Sequence, residues 1–346
     1  MKTKIVVDSA ANLYALEGVD FACVPLKIIT DHEEYRDDGT LDAVGMATSL
    51  RTYKGKTSTS CPNVSDWLEA FEGADEVYAI TITGTLSGCY NAAQLAAEEY
   101  QQEHPGKRVF VLDSLSTGPE QQLLAEHLRD ELAAGKDFDA ICAEMLRYHE
   151  HTHLLFSLES LANLARNGRV KPAVAAVARM LGIRVIGQAS EIGELDVLCK
   201  TRGEHGALER IVLELKDHGY NGGKLQISHC DNPAAACAAT MQSWAACWWA
   251  MRTAKPELDK TRKTRYTIFI PKKLTGERGG ADVLSTADRK IFQQTSQQGY
   301  HYGGPCSVAG GLAALGVQLP DHRPDMGQCG TPAAQSVHRA VSGPQG

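Results

Sequence analysis

Three short apolar runs, Lys4–Asp8, Glu76–Ile82 and Arg108–Leu112, constrain this chain more than any other feature. Each is too short for a buried helix and rich in Val and Ile. Each gives way to a turn carrying hydroxyl or acidic side chains: Asp8-Ser9, Thr83–Ser87 and Asp113-Ser114. Stretches of helical spacing lie between them, at Leu41–Tyr53, Asn63–Phe71, Ser87 to about Tyr100, Pro119–Ala134 and Phe138–Tyr148. Strands separated by helices build βαβ units and a mostly parallel sheet. In such sheets ligands sit beyond the carboxyl ends of the strands. The hydroxyl-rich turns fall at those ends.

The pattern resumes from about His151. His153–Ser157, Ile183–Gln188, Leu195–Lys200 and Leu225–His229 read as strands, and Cys23–Ile29 as an earlier one. Glu159–Arg166, Pro172–Leu181, Glu204–Leu215 and a segment starting at Pro233 read as helices. Asn167-Gly168 suits a left-handed helix end. We therefore expect an α/β protein of two domains, residues 1–150 and a smaller α/β unit at 151–240.

Residues 241–346 differ. They hold thirteen Lys and Arg against seven Asp and Glu, a net of +6, whereas the remainder is net −13 within a chain total of −7. Three of the four tryptophans also lie there, and strand and helix periodicity fades. Three readings stand open for this basic tail: a small extra domain, a disordered arm, or the product of a shifted reading frame.

Several function classes are excluded. Net negative charge argues against a nucleic-acid partner. No apolar run reaches membrane-spanning length. The start lacks a signal-peptide core, so a cytoplasmic protein with reduced thiols is expected. Its ten cysteines form no C-x-x-C pair. No P-loop, and no G-x-G-x-x-G after a strand, is present, so no cofactor is expected. His149, His151 and His153 would share one face of a strand and could hold zinc, but align only in part if a helix ends near Tyr148; no metal is assigned.

The ligand site is read from two turns. Thr83-Gly84-Thr85-Leu86-Ser87-Gly88 leads from a strand into a helix, where amides and the helix dipole favour an anion; Ser87 could equally be a helix cap. Thr57-Ser58-Thr59-Ser60-Cys61-Pro62 is a second hydroxyl cluster, or a solvated turn. Arg166-Asn167-Gly168-Arg169 offers a cation for a carboxylate. A serine hydrolase or transferase using Ser87 is the competing class, although the spacing G-x-x-S-G is not the G-x-S-x-G elbow. A binder of some other small carboxylate is the third.

Taken in order, these segments resemble the DegV family. Asp8–Leu13 is similar to its opening "DSxADL", and Val24-Pro25-Leu26 with Tyr35-Arg36-Asp37 to "VPL … YxD". Thr59–Pro62 is similar to "TSQP" with Cys61 in place of Gln, and Leu86–Ala93 to "LSGTYQSA". Leu158–Leu164 with Asn167–Val170 resembles "LeYLkkGGRI". The resemblance covers residues 4 to about 240. It implies two α/β domains with one long-chain fatty acid between them, presented to a separate fatty-acid kinase by a protein that is not itself catalytic. It further implies that Thr59 and Ser87 hold the carboxylate, with Ser60 and Gly88 beside them and Arg169 at the head group. Val174, Val177, Leu181, Ile183 and Ile186 are candidates for the tunnel wall or for plain core. The family's closing "GPVIGxHxGPGxxG"-type segment is not found. Its loss coincides with the break near 240, and a shifted frame would account for both.

Overall fold

The structure, a computed structural model, describes residues 1–158, 161, 164–165, 167–170, 183–220, 224–230 and 265–271. Strands β1 (Thr3–Asp8), β2 (Asp20–Val24), β6 (Glu76–Thr81) and β7 (Arg108–Asp113) form an all-parallel sheet in the order β2-β1-β6-β7. Helices α2 (Val64–Phe71) and α3 (Cys89–Glu103) cover one face. Helices α4 (Pro119–Ala133) and α5 (Phe138–His149) cover the other.

Successive strand side chains point to opposite faces, which explains the unbroken apolar runs: both faces are buried. Val6, Val77 and Ala79 pack toward Trp67, Phe71 and Tyr100. Their neighbours Ile5, Val7, Tyr78 and Ile80 pack toward Leu124, Leu128, Ile141 and Met145 on the opposite side. Helix α2 starts with a reciprocal capping box. Asn63 accepts the Asp66 N–H at 3.0 Å, and Asp66 accepts the Asn63 N–H at 2.8 Å.

Three local readings are corrected. Cys23–Ile29 is not one strand: β2 ends at Val24 and β3 (Lys27–Ile29) belongs to another sheet. Pro25 lies at the break, and its lack of an N–H removes a ladder donor. The cluster expected to be a turn contains a strand, β5 (Ser58–Ser60), which pairs antiparallel with β3; β3 pairs on its other side with β4 (Glu34–Arg36). A pairing partner distant in sequence decided this against local turn propensity. Between β4 and β5 lies α1 (Ala43–Thr52). Finally, α3 begins at Cys89 with Gly88 as N-cap, so Ser87 precedes the helix and does not cap it in the usual position.

The second sheet is mixed, in the order β10-β9-β8-β12-β11. It comprises β8 (Thr152–Leu158), β9 (Ile183–Ala189), β10 (Leu195–Arg202), β11 (Leu225–Cys230) and β12 (Arg265–Pro271). β8, β9 and β10 run antiparallel in turn; β12 lies parallel to both β8 and β11. Helix α6 (Gly203–Asp217) packs Leu208, Ile211 and Leu215 on Leu155, Ile186 and Ile227. Ile186 therefore joins the core beneath α6. Strand β12 comes from beyond residue 240 and sits between two other strands. The composition break is thus not the end of the sheet. No described helix is long and apolar enough to cross a membrane.

Candidate carboxylate site between the two units

β1 and β7 end in the acids that shape the first turn. The Asp8 carboxyl is fully buried and accepts the N–H groups of Ile82 at 2.6 Å and Ala10 at 3.1 Å, plus the Gln121 side-chain amide at 3.1 Å. Burial pushes its pKa up to about 6, against the pull of those hydrogen bonds. Asp113 accepts the Gly84 N–H at 3.1 Å and the Leu115 N–H at 3.0 Å. These carboxylates, Asp8 buried and Asp113 half-buried, are struts of the turn rather than ligand groups.

Most amides of the turn are thereby committed. Thr83 N–H donates to the Ser116 carbonyl at 2.8 Å, and the Leu86 and Ser87 N–H groups to the Thr83 carbonyl at 3.1 and 3.2 Å. Thr85 N–H reaches Thr83 Oγ1 at 3.4 Å, and Cys89 N–H reaches Ser87 Oγ at 3.3 Å. The expected cradle of open amides narrows to one: Gly88 N–H has no acceptor among the described residues. The Ser87 hydroxyl donates to Cys89 Sγ at 3.1 Å. Sulfur is a weak acceptor, so this proton is readily redirected to an oxyanion.

On β5, Thr59 stands opposite Ile28 in the ladder. Adjacent strand residues face opposite ways, and Thr59 and Ser60 behave differently. Ser60 Oγ donates to the Cys61 carbonyl at 3.2 Å. Cys61 Sγ lies 3.0 Å from the place a Cβ on Gly88 would occupy. Gly88 has φ −74°, which any residue adopts. It is glycine for space: its backbone lies against the second turn.

Arg169 joins the units. Gly168, at φ +71°, ends the preceding helical turn, its N–H donating to the Ala165 carbonyl at 3.2 Å, and the Arg169 N–H to Leu164 at 2.8 Å. This agrees with the helix end expected at Asn167-Gly168. The guanidinium then spans both turns, Nε donating to the Leu86 carbonyl at 2.9 Å and Nη2 to Thr59 Oγ1 at 2.9 Å. A guanidinium carries five donors in a planar fork; two fix the geometry, and the others meet no acceptor among the described residues. Thr59, Ser87, Gly88 and Arg169 are thus gathered at one place, while the Ser60 hydroxyl is turned to its own neighbour.

Sequence reasoning missed two contributors. The Leu86 carbonyl orients Arg169, and no side-chain pattern signals that. The β9–β10 hairpin docks on the turn: Thr85 Oγ1 donates to the Gly193 carbonyl at 2.5 Å. Gly193 is at φ +79°, and a Cβ there would lie 2.0 Å from Thr83 Oγ1; a lone glycine in a predicted hairpin was the available signal.

Among the described residues the alternating histidines do not bring their ring nitrogens together as metal ligands. His149 ends α5, with Nε2 at 2.7 Å from the Ser114 carbonyl, while His153 is on β8. Val174, Val177 and Leu181 lie outside the described residues.

Comparison with known proteins places these features in context. A family described as uncharacterised DegV-family proteins matches residues 2–246. A DegV domain-containing protein of Streptococcus pyogenes is 38% identical over 237 residues, 67% of this chain and 85% of that protein. A crystal structure of a DegV-family protein from Eubacterium eligens, loaded with heptadecanoic acid, is 40% identical at TM-score 0.70, covering 78% of this chain and 92% of that one. The Streptococcus pneumoniae Fatty Acid Kinase (Fak) B3 protein, loaded with linoleic acid, is 33% identical at TM-score 0.69 with the same coverages.

Proposed function

This chain belongs to the DegV family, and on that premise we propose that it binds a single long-chain fatty acid between its two α/β units and presents the carboxylate to a fatty-acid kinase in the cytoplasm. Arg169 carries the proposal. Its fork reaches Thr59 on one turn and the Leu86 carbonyl, next to Ser87, on the other. A carboxylate leaving water needs such donors, since an unpaired buried charge is very costly. The Ser87 hydroxyl, the Gly88 amide and the remaining Arg169 donors supply them. The acyl chain needs only apolar surface, worth roughly 0.8 kcal/mol per buried methylene. The kinase partner is inferred from the pneumococcal Fak B3 likeness.

Ser87 as a hydrolytic nucleophile finds no support in its surroundings. Its hydroxyl exchanges hydrogen bonds with Cys89, and no described histidine bonds to it. Native mass spectrometry of the purified protein tests the binding reading. A bound species of fatty-acid mass, diminished in Ser87→Ala, is the expected result. Lipid-free protein that also fails to take up added oleate would defeat it.

A further inference from the structure

Away from the carboxylate site, α4 and α5 bring three metal-ligating side chains together. His127 and Glu131 are one helical turn apart on α4, and Glu144 faces them from α5. One donor atom from each lies within 4.8 Å of the others, and all three side chains are at most 16% exposed.

The orientation of the donors is specific. His127 Nε2 is 3.2 Å from Glu144 Oε1 and 3.8 Å from Glu131 Oε1. The second oxygen of each carboxylate is taken by a cation, Lys136 on Glu131 and Arg147 on Glu144. Both free oxygens therefore turn toward the same ring nitrogen. Tyr148 stacks on the imidazole with centroids 3.6 Å apart and planes 12° apart, fixing its direction. A proton on Nε2 serves one carboxylate well and leaves the other beyond hydrogen-bond range. A cation among the three serves all of them. Tetrahedral zinc with ligands at about 2.0–2.2 Å sets donor atoms about 3.3–3.6 Å apart, and the separations of 3.2 and 3.8 Å bracket that. Lys136 and Arg147 sit on the outer oxygens, leaving one inner oxygen of each carboxylate as a donor, and the imidazole favours a borderline metal over calcium or magnesium.

The geometry points to a divalent transition-metal site, zinc-like, with His127, Glu131 and Glu144 as ligands and water completing the shell. It would tie α4 to α5. Because α4 also carries Gln121, which holds Asp8, the site braces the unit without touching ligand.

The test is zinc titration by calorimetry on the full chain after chelator dialysis. Wild type binds one equivalent more than either His127→Ala or Glu144→Gln. Any zinc held by cysteines is common to all three proteins and cancels. With cobalt(II), the spectrum of wild type minus variant shows tetrahedral ligand-field bands and no thiolate charge transfer. Equal stoichiometry in wild type and variants overturns the site, as does a thiolate band in the difference. Glu144→Gln, nearly isosteric, decides the matter should His127→Ala unfold the chain.

Discussion

Removing the Arg169 guanidinium should separate binding from folding. In Arg169→Ala, Leu86 and Thr59 each lose a donor at 2.9 Å, and the bound carboxylate loses its cation. Truncating one partner of a hydrogen-bonded charge pair costs about 2–5 kcal/mol. Arg169 is half-buried, so the lower part of that range applies, about 2–3 kcal/mol. At about 1.4 kcal/mol per decade this is a roughly 30- to 150-fold weaker Kd. Arg169→Lys keeps the charge but cannot fork to both oxygens, so an intermediate loss of about tenfold is expected. In the ligand-free protein the lost clasp should lower Tm by only a few degrees, since about 1 kcal/mol moves a protein of this size roughly 2–4 °C. Oleate titration by calorimetry, with a thermal melt of each variant, measures both quantities. An Arg169→Ala protein that binds oleate within twofold of wild type would refute the assignment.

Other expectations follow from the same geometry. In Gly88→Ala the new Cβ meets Cys61 Sγ at 3.0 Å, so oleate affinity should fall about tenfold, corresponding to about 1.4 kcal/mol; adding Cys61→Ala should restore most of it, and strict additivity in that double-mutant cycle would count against the contact. Burial raises both Asp8 and Asp37 to about 6. Each then binds its proton more tightly folded than unfolded, so each withdraws stability as pH climbs from about 4 to about 6 and adds no slope above. A shift of about two units is worth at most about 3 kcal/mol per group, and the two interact, so the effects do not sum. Asp37→Asn should therefore gain stability relative to wild type as pH rises through that window; urea melts showing the reverse trend would contradict this. A chain ending at residue 240 lacks β12, which bonds to β8 and β11. It should be poorly soluble, while one ending at residue 280 should fold; equal solubility and melting of the two would show that β12 is dispensable.

The first unit was legible because both faces of its sheet are buried. Alternate residues such as Val6 and Val7 enter different cores, so each strand reads as a plain apolar run bounded by turn residues. The helix start at Asn63 was legible from capping chemistry. β5 was not, because three polar residues, Ser58–Ser60, are strand only through pairing with β3. Nor was β12, which lies past a composition break that reads as the end of an ordered region.

By itself the sequence determined an α/β fold and supplied hydroxyls and a cation at the right kinds of place. Local spacing sets helix and strand period, and strand ends are where parallel sheets expose their turns. Tertiary structure alone decided which of those groups meet. Asp8 and Asp113 became struts, Ser60 turned to its neighbour, and Arg169 crossed from the second unit to Thr59 and Leu86. These contacts span 83 and 110 residues of chain. Separations of that size leave no periodic trace, because they depend on how two sheets dock rather than on how either one forms.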